Sequence, residues 1–308
     1  MNLVLSYVAL VSRDVAAACA IFGDVFGLAR TDIAVAGSDG TVPTFAVGEA
    51  ALAVFGPDHP FLGEDRKTGV HHIGLSCPDL NATAAALAAV GLTTRDAGPG
   101  LQAGTRLALE PAATVGVRTF LVEPLDIERS RSALVERIDH LGIASADNQA
   151  AIEVFSHRMG VPVESQQTDM EVETAMESFT SDKYGVVYDS RHPKVVGGLR
   201  VAFLTVGDCD LEFLQNFDPS HGAEIRHGAS GNTRQDQGSI TRYIERRGPG
   251  LHHFALKSPD IDGTLAVLAR SGAKLIDQVG RPGSRRALIG FVHPDTIGGI
   301  LFHVLQRD

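Results

Sequence analysis

Residues 69–80 read GVHHIGLSCPDL, and residues 250–261 read GLHHFALKSPDI. Each copy has a His-His pair in an apolar, strand-like run, then a Pro-Asp turn, then an apolar segment of helical character. A second pair of segments lies upstream, where SYVALV at 6–11 corresponds to DHLGIA at 139–144. Internal repetition determines architecture before any single motif does. The chain is therefore predicted to consist of two related halves, each built from two units.

Each unit reads as a strand, then a helix, then several short strands. Short strands mixed with single helices indicate an α+β fold and not a parallel doubly wound sheet. We therefore predict four βαβββ modules in two tandem domains, each a curved, open, mixed sheet around a cavity. The domains are expected at residues 1–128 and 138–308. The charged residues 125–135 are expected to be helical and to form the bridge, whose limits we set at 129–137.

The composition is that of an ordinary globular protein of 308 residues, with 44% apolar and 21% charged residues. The formal net charge of -10 disfavours non-specific nucleic-acid binding, which needs clustered Lys and Arg. Cys19, Cys77 and Cys209 form neither a zinc-type pair nor a disulfide framework, which favours a reducing cytoplasm. The apolar N-terminal run lacks a basic leader, so it indicates a strand and not a signal peptide. No stretch reaches membrane-spanning length, and no membrane partner is expected.

The repeats resemble the vicinal oxygen chelate superfamily of glyoxalase-like proteins. It includes glyoxalase I, methylmalonyl-CoA epimerase, extradiol dioxygenases and 4-hydroxyphenylpyruvate dioxygenase. Residues 138–308 are most similar to methylmalonyl-CoA epimerases. The segments that carry this likeness are IDHLGIA (138–144), VAFLTVGD (201–208), LEFL (211–214), SITRYIERRGPGLHH (239–253), RPGS (281–284) and FVHPDTIGG (291–299). The tandem arrangement is more similar to the dioxygenases, whose metal also lies in the C-terminal half.

The resemblance implies one divalent metal ion, held by side chains from the first and last strands of each module. It places ligands at His140, Glu212 and His253, and the family's closing Glu falls where this chain offers His303. Imidazole and carboxylate ligands suit Zn, Co, Ni, Mn or Fe. Each residue alone would more often be a hydrogen-bonded core or edge residue, but four at matching strand positions favour a metal site. His252 is expected to face the opposite side of its strand and to be structural.

The first half serves as an internal control for this site. Three of the four aligned positions differ: Tyr7 replaces His140, Ala53 replaces Glu212 and Leu121 replaces His303. Only His72 is retained, opposite His253. One imidazole holds a divalent ion poorly, so the first half is predicted to have a degenerate metal site and to shape the pocket. It can also substitute for the second subunit of a simpler dimer, and a homodimer of the whole chain is left open.

The resemblance implies enolate chemistry of the epimerase, isomerase or lyase type on a small substrate with two neighbouring oxygens, or on an acyl-CoA. The metal would act as a Lewis acid, and a general base is also required. The family's base would fall at or near Ala202, which cannot accept a proton. The candidates to replace it are His303, Glu171, Glu173 and Glu177.

Guanidinium groups bind phosphate or carboxylate in a bidentate manner, and the alternative is a solvated helix end and turn. The candidate arginines are Arg246, Arg247, Arg281, Arg285 and Arg286. Two stretches, 166–194 and 218–237, exceed what the repeat requires and are expected to be loops that form a lid over the pocket. Tyr188 lies in the first of them and is a further candidate for substrate binding.

Two other functions are open at this point. His140, His253 and Glu212 would also suit an Fe(II) dioxygenase, although His303 as a fourth ligand leaves fewer positions for substrate and dioxygen. A third reading is a metal-free protein that sequesters its ligand, as bleomycin-resistance proteins do with the same fold. Retention of the three ligand types argues against that reading.

Overall fold

The computed structural model describes residues 2–36, 38, 40–173, 176–183, 185–190, 194–217 and 238–308. The strands of the first half are β1 (Val4–Val11), β2 (Arg30–Ala34), β3 (Thr41–Val47), β4 (Ala50–Phe55), β5 (Gly69–Ser76), β6 (Thr94–Pro99), β7 (Thr105–Leu109) and β8 (Thr119–Val122). Those of the second half are β9 (Arg137–Ala144), β10 (Val163–Glu173), β11 (Met176–Ser181), β12 (Gly185–Ser190), β13 (Lys194–Val206), β14 (Cys209–Phe217), β15 (Gly250–Lys257), β16 (Arg281–Pro282), β17 (Leu288–Val292) and β18 (Phe302–Gln306).

The helices are α1 (Val15–Cys19), α2 (Leu80–Ala89), α3 (Asn148–Ile152), α4 (Ser239–Arg247) and α5 (Ile261–Arg270). Two of them continue as π-helical segments, α1 over Ala20–Val25 and α3 over Glu153–Arg158. The helix of each module begins after an aspartate whose carboxylate accepts a backbone N–H of the first turn, which is a standard N-cap. These caps are Asp14, Asp79, Asp147 and Asp260. None of the described helices is long and apolar enough to cross a membrane.

The two halves have the same sheet topology. The strand order is β2-β3-β4-β1-β5-β8-β7-β6 in the first sheet and β10-β13-β14-β9-β15-β18-β17-β16 in the second, and β11 pairs with β12 separately. In each sheet the central pair, β1–β5 or β9–β15, is antiparallel, and each member has a parallel neighbour on its other side. The predicted α+β fold of four βαβββ modules in two mixed sheets is confirmed.

A β-bulge interrupts both strands of each central pair. The extra residues are Ser6 in β1 and His71 in β5, and Asp139 in β9 and His252 in β15. A bulge changes the direction of the side chains beside it. Simple alternation of faces therefore fails at these four positions, and two of them adjoin the predicted metal ligands.

The two sheets share one hydrophobic core. Phe22, in the π-helical continuation of α1, packs against Phe45 of its own sheet and Phe254 of the other, with ring centroids 5.5 and 6.2 Å apart. Phe26 contacts Phe302 at 6.3 Å, and Phe254 stacks on Phe302 at 5.3 Å. All five rings are buried. The halves are therefore joined by side-chain packing as well as by the connecting chain.

The helix predicted over residues 125–135 is wrong, because these residues form no helix. Side chains satisfy the local backbone in other ways. The Ser132 hydroxyl donates to the carbonyl of Phe26 and accepts from the backbone N–H of Leu134, at 2.5 and 3.0 Å. Arg129 donates to the carbonyl of Gly48 at 2.7 Å. Such bonds compete with helical hydrogen bonds, and here they hold the segment against the first half.

Candidate metal centre

Four polar side chains from four strands converge on the concave face of the second sheet. They are His140 in β9, Glu212 in β14, His253 in β15 and His303 in β18, and each is at most 6% exposed. One ring nitrogen from each histidine lies within 4.8 Å of the other two. Oε2 of Glu212 lies 3.3 Å from Nε2 of His140 and 3.8 Å from Nε2 of His253. The structure thus brings together the four residues that the sequence predicted as ligands.

Gly142 of β9 makes room for the His253 ring. The registers place Gly142 between His253 of β15 and Glu212 of β14. A Cβ at this position would lie 2.0 Å from Cε1 of His253. Any other residue would therefore displace the imidazole, since packed interiors leave little free volume. Sequence reasoning missed this role, although the position two residues after His140 on the same face was a usable signal.

Four of the six imidazole nitrogens at this site lack hydrogen-bond partners among the described residues. They are Nε2 of His140, Nε2 of His253 and both ring nitrogens of His303. Nearly all buried polar atoms in folded proteins have a partner. Four such atoms in one place therefore fit a site that receives an ion.

Burial determines the protonation state of two of these rings, those of His253 and His303. It lowers the pKa of His253 and of His303 well below the ordinary histidine value, and the neighbouring imidazoles lower the pKa of each further. A neutral imidazole offers a lone pair, whereas a protonated one has no free lone pair. The two rings are therefore in the form that a metal ion binds.

Two residues beside the predicted ligands also line the cavity, Asp139 and His252. Oδ1 of Asp139 accepts a hydrogen bond from Nδ1 of His140 at 3.0 Å, and Nδ1 of His252 lies 2.9 Å from Nδ1 of His253. Burial alone would raise the pKa of Asp139, but the hydrogen bond from His140 and the nearby guanidinium groups hold that pKa well below its usual range. The expectation that His252 faces away is wrong, because the bulge interrupts the alternation of β15.

The site lies in a cavity of about 320 Å³ whose walls are mostly apolar. On β13 the side chains that pack on the concave side are Leu199, Val201 and Phe203. Ala202 points into the shared core, so the predicted base position does not face the cavity. The neighbouring positions on that strand are apolar as well, so none of them supplies a base.

Arg281, Arg285 and Arg307 are the arginines among the described lining residues. Arg285 and Arg307 both lie against the carboxylate of Asp139, at 3.4 and 3.0 Å. Arg281 donates from Nε to Asp277 at 2.9 Å, and its Nη1 is buried with no hydrogen-bond partner among the described residues. Of the three, Arg281 is the one with a buried N–H left to satisfy.

Arg246 and Arg247 lie outside this cavity, on the exposed end of α4. Arg247 donates from Nη1 to the carbonyl of Thr68 at 2.8 Å. Both arginines border a second pocket of about 270 Å³, which shares His252 and Leu301 with the cavity. Arg286 is exposed and does not line the cavity.

The first predicted lid, 166–194, is not a loop in its described part. It forms most of β10 and the β11–β12 hairpin, and DMEVE at 169–173 of β10 alternates polar and apolar residues as strands do. Glu171, Glu173 and Glu177 lie on these strands, and the backbone of Tyr188 pairs with Ser178. The side chains of these four candidates are outside the described part of the structure. The second predicted lid, 218–237, lies outside the described residues altogether.

The equivalent place in the first sheet is closed by protein groups. The Tyr7 hydroxyl forms a hydrogen bond with Nε2 of His72 at 3.2 Å. Ala53 pairs with Ala9, as Glu212 pairs with Gly142 in the second sheet. Nε2 of His72, which corresponds to the Nε2 of His253 that would contact a metal, is thus already bound by a hydroxyl.

The predicted match of Leu121 with His303 is wrong by one residue. Phe120 pairs with Gly74, as His303 pairs with Ala255 in the second sheet. The Phe120 ring lies 4.8 Å from the His72 ring. Because Phe120, Leu121 and Val122 are all apolar, the sequence offered no marker for the register of this strand.

Two profiles of the Glyoxalase/Bleomycin resistance protein/Dioxygenase superfamily match the chain, one over residues 4–107 and one over residues 139–291. The chain belongs to this superfamily. The predicted resemblance to vicinal oxygen chelate proteins is confirmed, and each half of this superfamily member carries its own matched domain.

Comparison with known proteins shows how much of the chain each similarity covers. A mutant of 4-hydroxymandelate synthase from Streptomyces coelicolor has a TM-score of 0.64 at 15% identity, and the match covers 100% of this chain and 93% of that one. Uncharacterized protein YqjC of Bacillus subtilis is 21% identical over 172 residues, 56% of this chain and 93% of that protein. Methylmalonyl-CoA epimerase from Mycobacterium tuberculosis is 23% identical over 59% of this chain and 94% of its own, with a TM-score of 0.39. The first likeness shows that the tandem fold extends over the whole superfamily member.

Proposed function

We propose that this chain is a divalent-metal-dependent enzyme and that His140, Glu212, His253 and His303 bind the metal. The observation that supports this is the convergence of four buried side chains, three of them histidines with four ring nitrogens that lack hydrogen-bond partners among the described residues. Burying that many unpaired polar atoms is unfavourable unless an ion satisfies them. Three imidazoles and one carboxylate fit Zn, Co, Ni, Mn or Fe.

The reaction we propose is proton transfer next to a carbonyl, of the epimerase, isomerase or lyase type. A bound divalent ion would supply Lewis-acid stabilisation of the charge that develops on two neighbouring substrate oxygens. The chain supplies a buried, mostly apolar cavity, in which such electrostatic interactions are stronger than in water. An acyl-CoA is one form of such a substrate, and a small hydroxyketone or hydroxy acid is another.

The candidates for the residue that transfers the proton are His303, Glu171, Glu173 and Glu177. Among the described residues, the lining contains two carboxylates, those of Asp139 and Glu212. Asp139 is bound by His140 and arginines, and Glu212 lies among the imidazoles. A glutamate from β10 or β11 is therefore our first choice for the base. Changing each glutamate to Gln in turn should identify it by loss of solvent proton exchange.

The test is metal analysis followed by a deuterium-exchange assay on the metal-loaded protein. We expect about one equivalent of metal, and incorporation of deuterium from heavy water into a panel of hydroxyketones, hydroxy acids and acyl-CoA thioesters. Protein that stays metal-free after incubation with each of the five metals would contradict the proposal of a metal centre. Metal binding without any exchange would contradict only the proposed reaction.

A dioxygenase is the second candidate function. It is favoured by the grouping of His140, His253 and Glu212, since two histidines and one carboxylate are the ligands of many non-haem Fe(II) oxygenases. In that case the protein would be active only with iron. Oxygen consumption in the presence of substrate would distinguish it from the isomerase, which consumes none.

Arg281 is proposed to bind an anionic group of the substrate. We expect α-hydroxy acids with a second carboxylate one to three carbons away to bind the zinc-loaded protein more tightly than glycolate. Charged hydrogen bonds contribute about 1.5–3 kcal/mol, roughly 10- to 100-fold in affinity. Arg281→Met should remove this preference and leave metal content unchanged, as measured by calorimetric titration. Arg246→Met, outside the cavity, is the matched control, and equal loss in both variants would contradict the assignment.

A further inference from the structure

We infer that Asp139 and His252 are positioning residues that fix which ring nitrogen of His140 and His253 faces the metal. The inference rests on the proposed metal centre. In each case a β-bulge supplies an extra residue directly before the ligand histidine, and the side chain of that residue engages Nδ1 of the ligand. With Nδ1 engaged, Nε2 is the nitrogen left to face the cavity, and both Nε2 atoms are the ones without hydrogen-bond partners among the described residues.

The geometry at Asp139 determines the tautomer of His140. The carboxylate is fully buried and lies 3.0 Å from Nδ1 of His140. Its other oxygen accepts hydrogen bonds from Arg137 and Arg307, each at 3.0 Å, and Arg285 lies 3.4 Å from the first oxygen. An ionised carboxylate only accepts hydrogen bonds. His140 must therefore donate from Nδ1, and a neutral ring then carries its lone pair at Nε2.

The contact at His252 allows the same arrangement for His253. A hydrogen bond between the two Nδ1 atoms, 2.9 Å apart, needs one hydrogen. If Nε2 of His253 binds a metal, that hydrogen belongs to His253, and His252 accepts it. The ring of His252 packs edge-on against Tyr243 with centroids 4.9 Å apart, and the Tyr243 hydroxyl donates to the carbonyl of Leu251. The contact with Tyr243 thus holds the accepting ring of His252 in place.

The first half shows that the bulges and the His-His contact belong to the fold, whereas the carboxylate before the ligand is particular to the second half. Its bulge residues are Ser6 and His71, and the residue after Ser6 is Tyr7, which has no ring nitrogen. His71 and His72 are still paired, with their Nδ1 atoms 2.7 Å apart. The carboxylate is therefore present before the histidine of β9 and missing before the tyrosine of β1, as expected if it serves the ligand.

Metal affinity tests the inference. Titration with cobalt(II), followed by its visible absorption, should show about 10- to 100-fold weaker binding for Asp139→Asn, the range found for outer-shell partners of metal ligands. The matched control is Ser6→Ala, at the equivalent bulge of the first sheet, which should leave affinity unchanged. In a His140→Ala background, Asp139→Asn should add no further loss, because its effect acts through His140.

A second measurement does not depend on the variants being folded. Nitrogen-15 spectra of the histidine rings in the zinc-loaded wild-type protein should show His140 and His253 protonated at Nδ1. A hydrogen on Nε2 of either ring would overturn the inference for that ring. Wild-type protein that binds no metal would instead contradict the proposed function. Wild-type binding together with an unchanged affinity in Asp139→Asn would contradict the inference alone.

Discussion

His253→Ala is expected to abolish tight metal binding, whereas His72→Ala leaves it intact. Structural zinc sites bind with about 10–16 kcal/mol in total, so loss of one of four ligands should weaken binding by about 3 kcal/mol, on the order of 100-fold. His72 already has its Nε2 bound by the Tyr7 hydroxyl, so its removal affects only the first half. Zinc titration against a competing chelator measures both affinities.

The two histidines form a matched pair for this experiment. Both are buried and both lie at the second position of a His-His pair. His72→Ala should still lower the stability of the fold, because it leaves a cavity and an unpaired hydroxyl. Equal loss of zinc binding in the two variants would refute a single metal centre in the second half.

Phe254→Ala is expected to lower the free energy of unfolding by about 3–5 kcal/mol, the usual cost of removing a buried phenylalanine ring. The ring contacts Phe22 of the first half and Phe302 of its own sheet, so both halves lose packing. We expect one transition, shifted to lower urea concentration, in far-ultraviolet circular dichroism. The chain has no tryptophan, so fluorescence of that residue cannot report the unfolding.

Phe120→Ala is the control for this prediction. Its ring packs on the concave side of the first sheet and does not belong to the shared core. The loss of stability should be smaller and should leave the cooperativity of unfolding unchanged. Two separate transitions for Phe254→Ala, with only the second half destabilised, would show that the halves unfold independently.

The fold and the convergence of the four proposed ligands could be predicted because they are encoded in residue type and period. The repeated His-His segment and the Asp N-caps recur in matching order, and the side-chain period of two placed Glu212 and His303 on the concave face. The same rule failed at His252, because a bulge shifts the period by one residue. It also failed at Leu121, where apolar neighbours left the register of the strand undefined.

The remaining parts of the site depend on contacts between distant segments. The proposed role of Asp139 depends on Arg285 and Arg307, which are far from it in sequence but lie beside it in the fold. Arg281 lines the cavity and Arg246 does not, and no local sequence pattern indicates this difference. The helix expected over residues 125–135 failed for a related reason, since Ser132 bonds to the carbonyl of Phe26, a residue distant in sequence.

Both central strand pairs have the same two bulges, although only one pair carries the proposed ligands. The backbone path required for a second ion is therefore already present in the first sheet. What the first sheet lacks is the matching polar side chains, since their positions are taken by Ser6, Tyr7, Ala53 and Phe120. Building a second metal centre in the first sheet would therefore require side-chain substitutions and no change in the backbone.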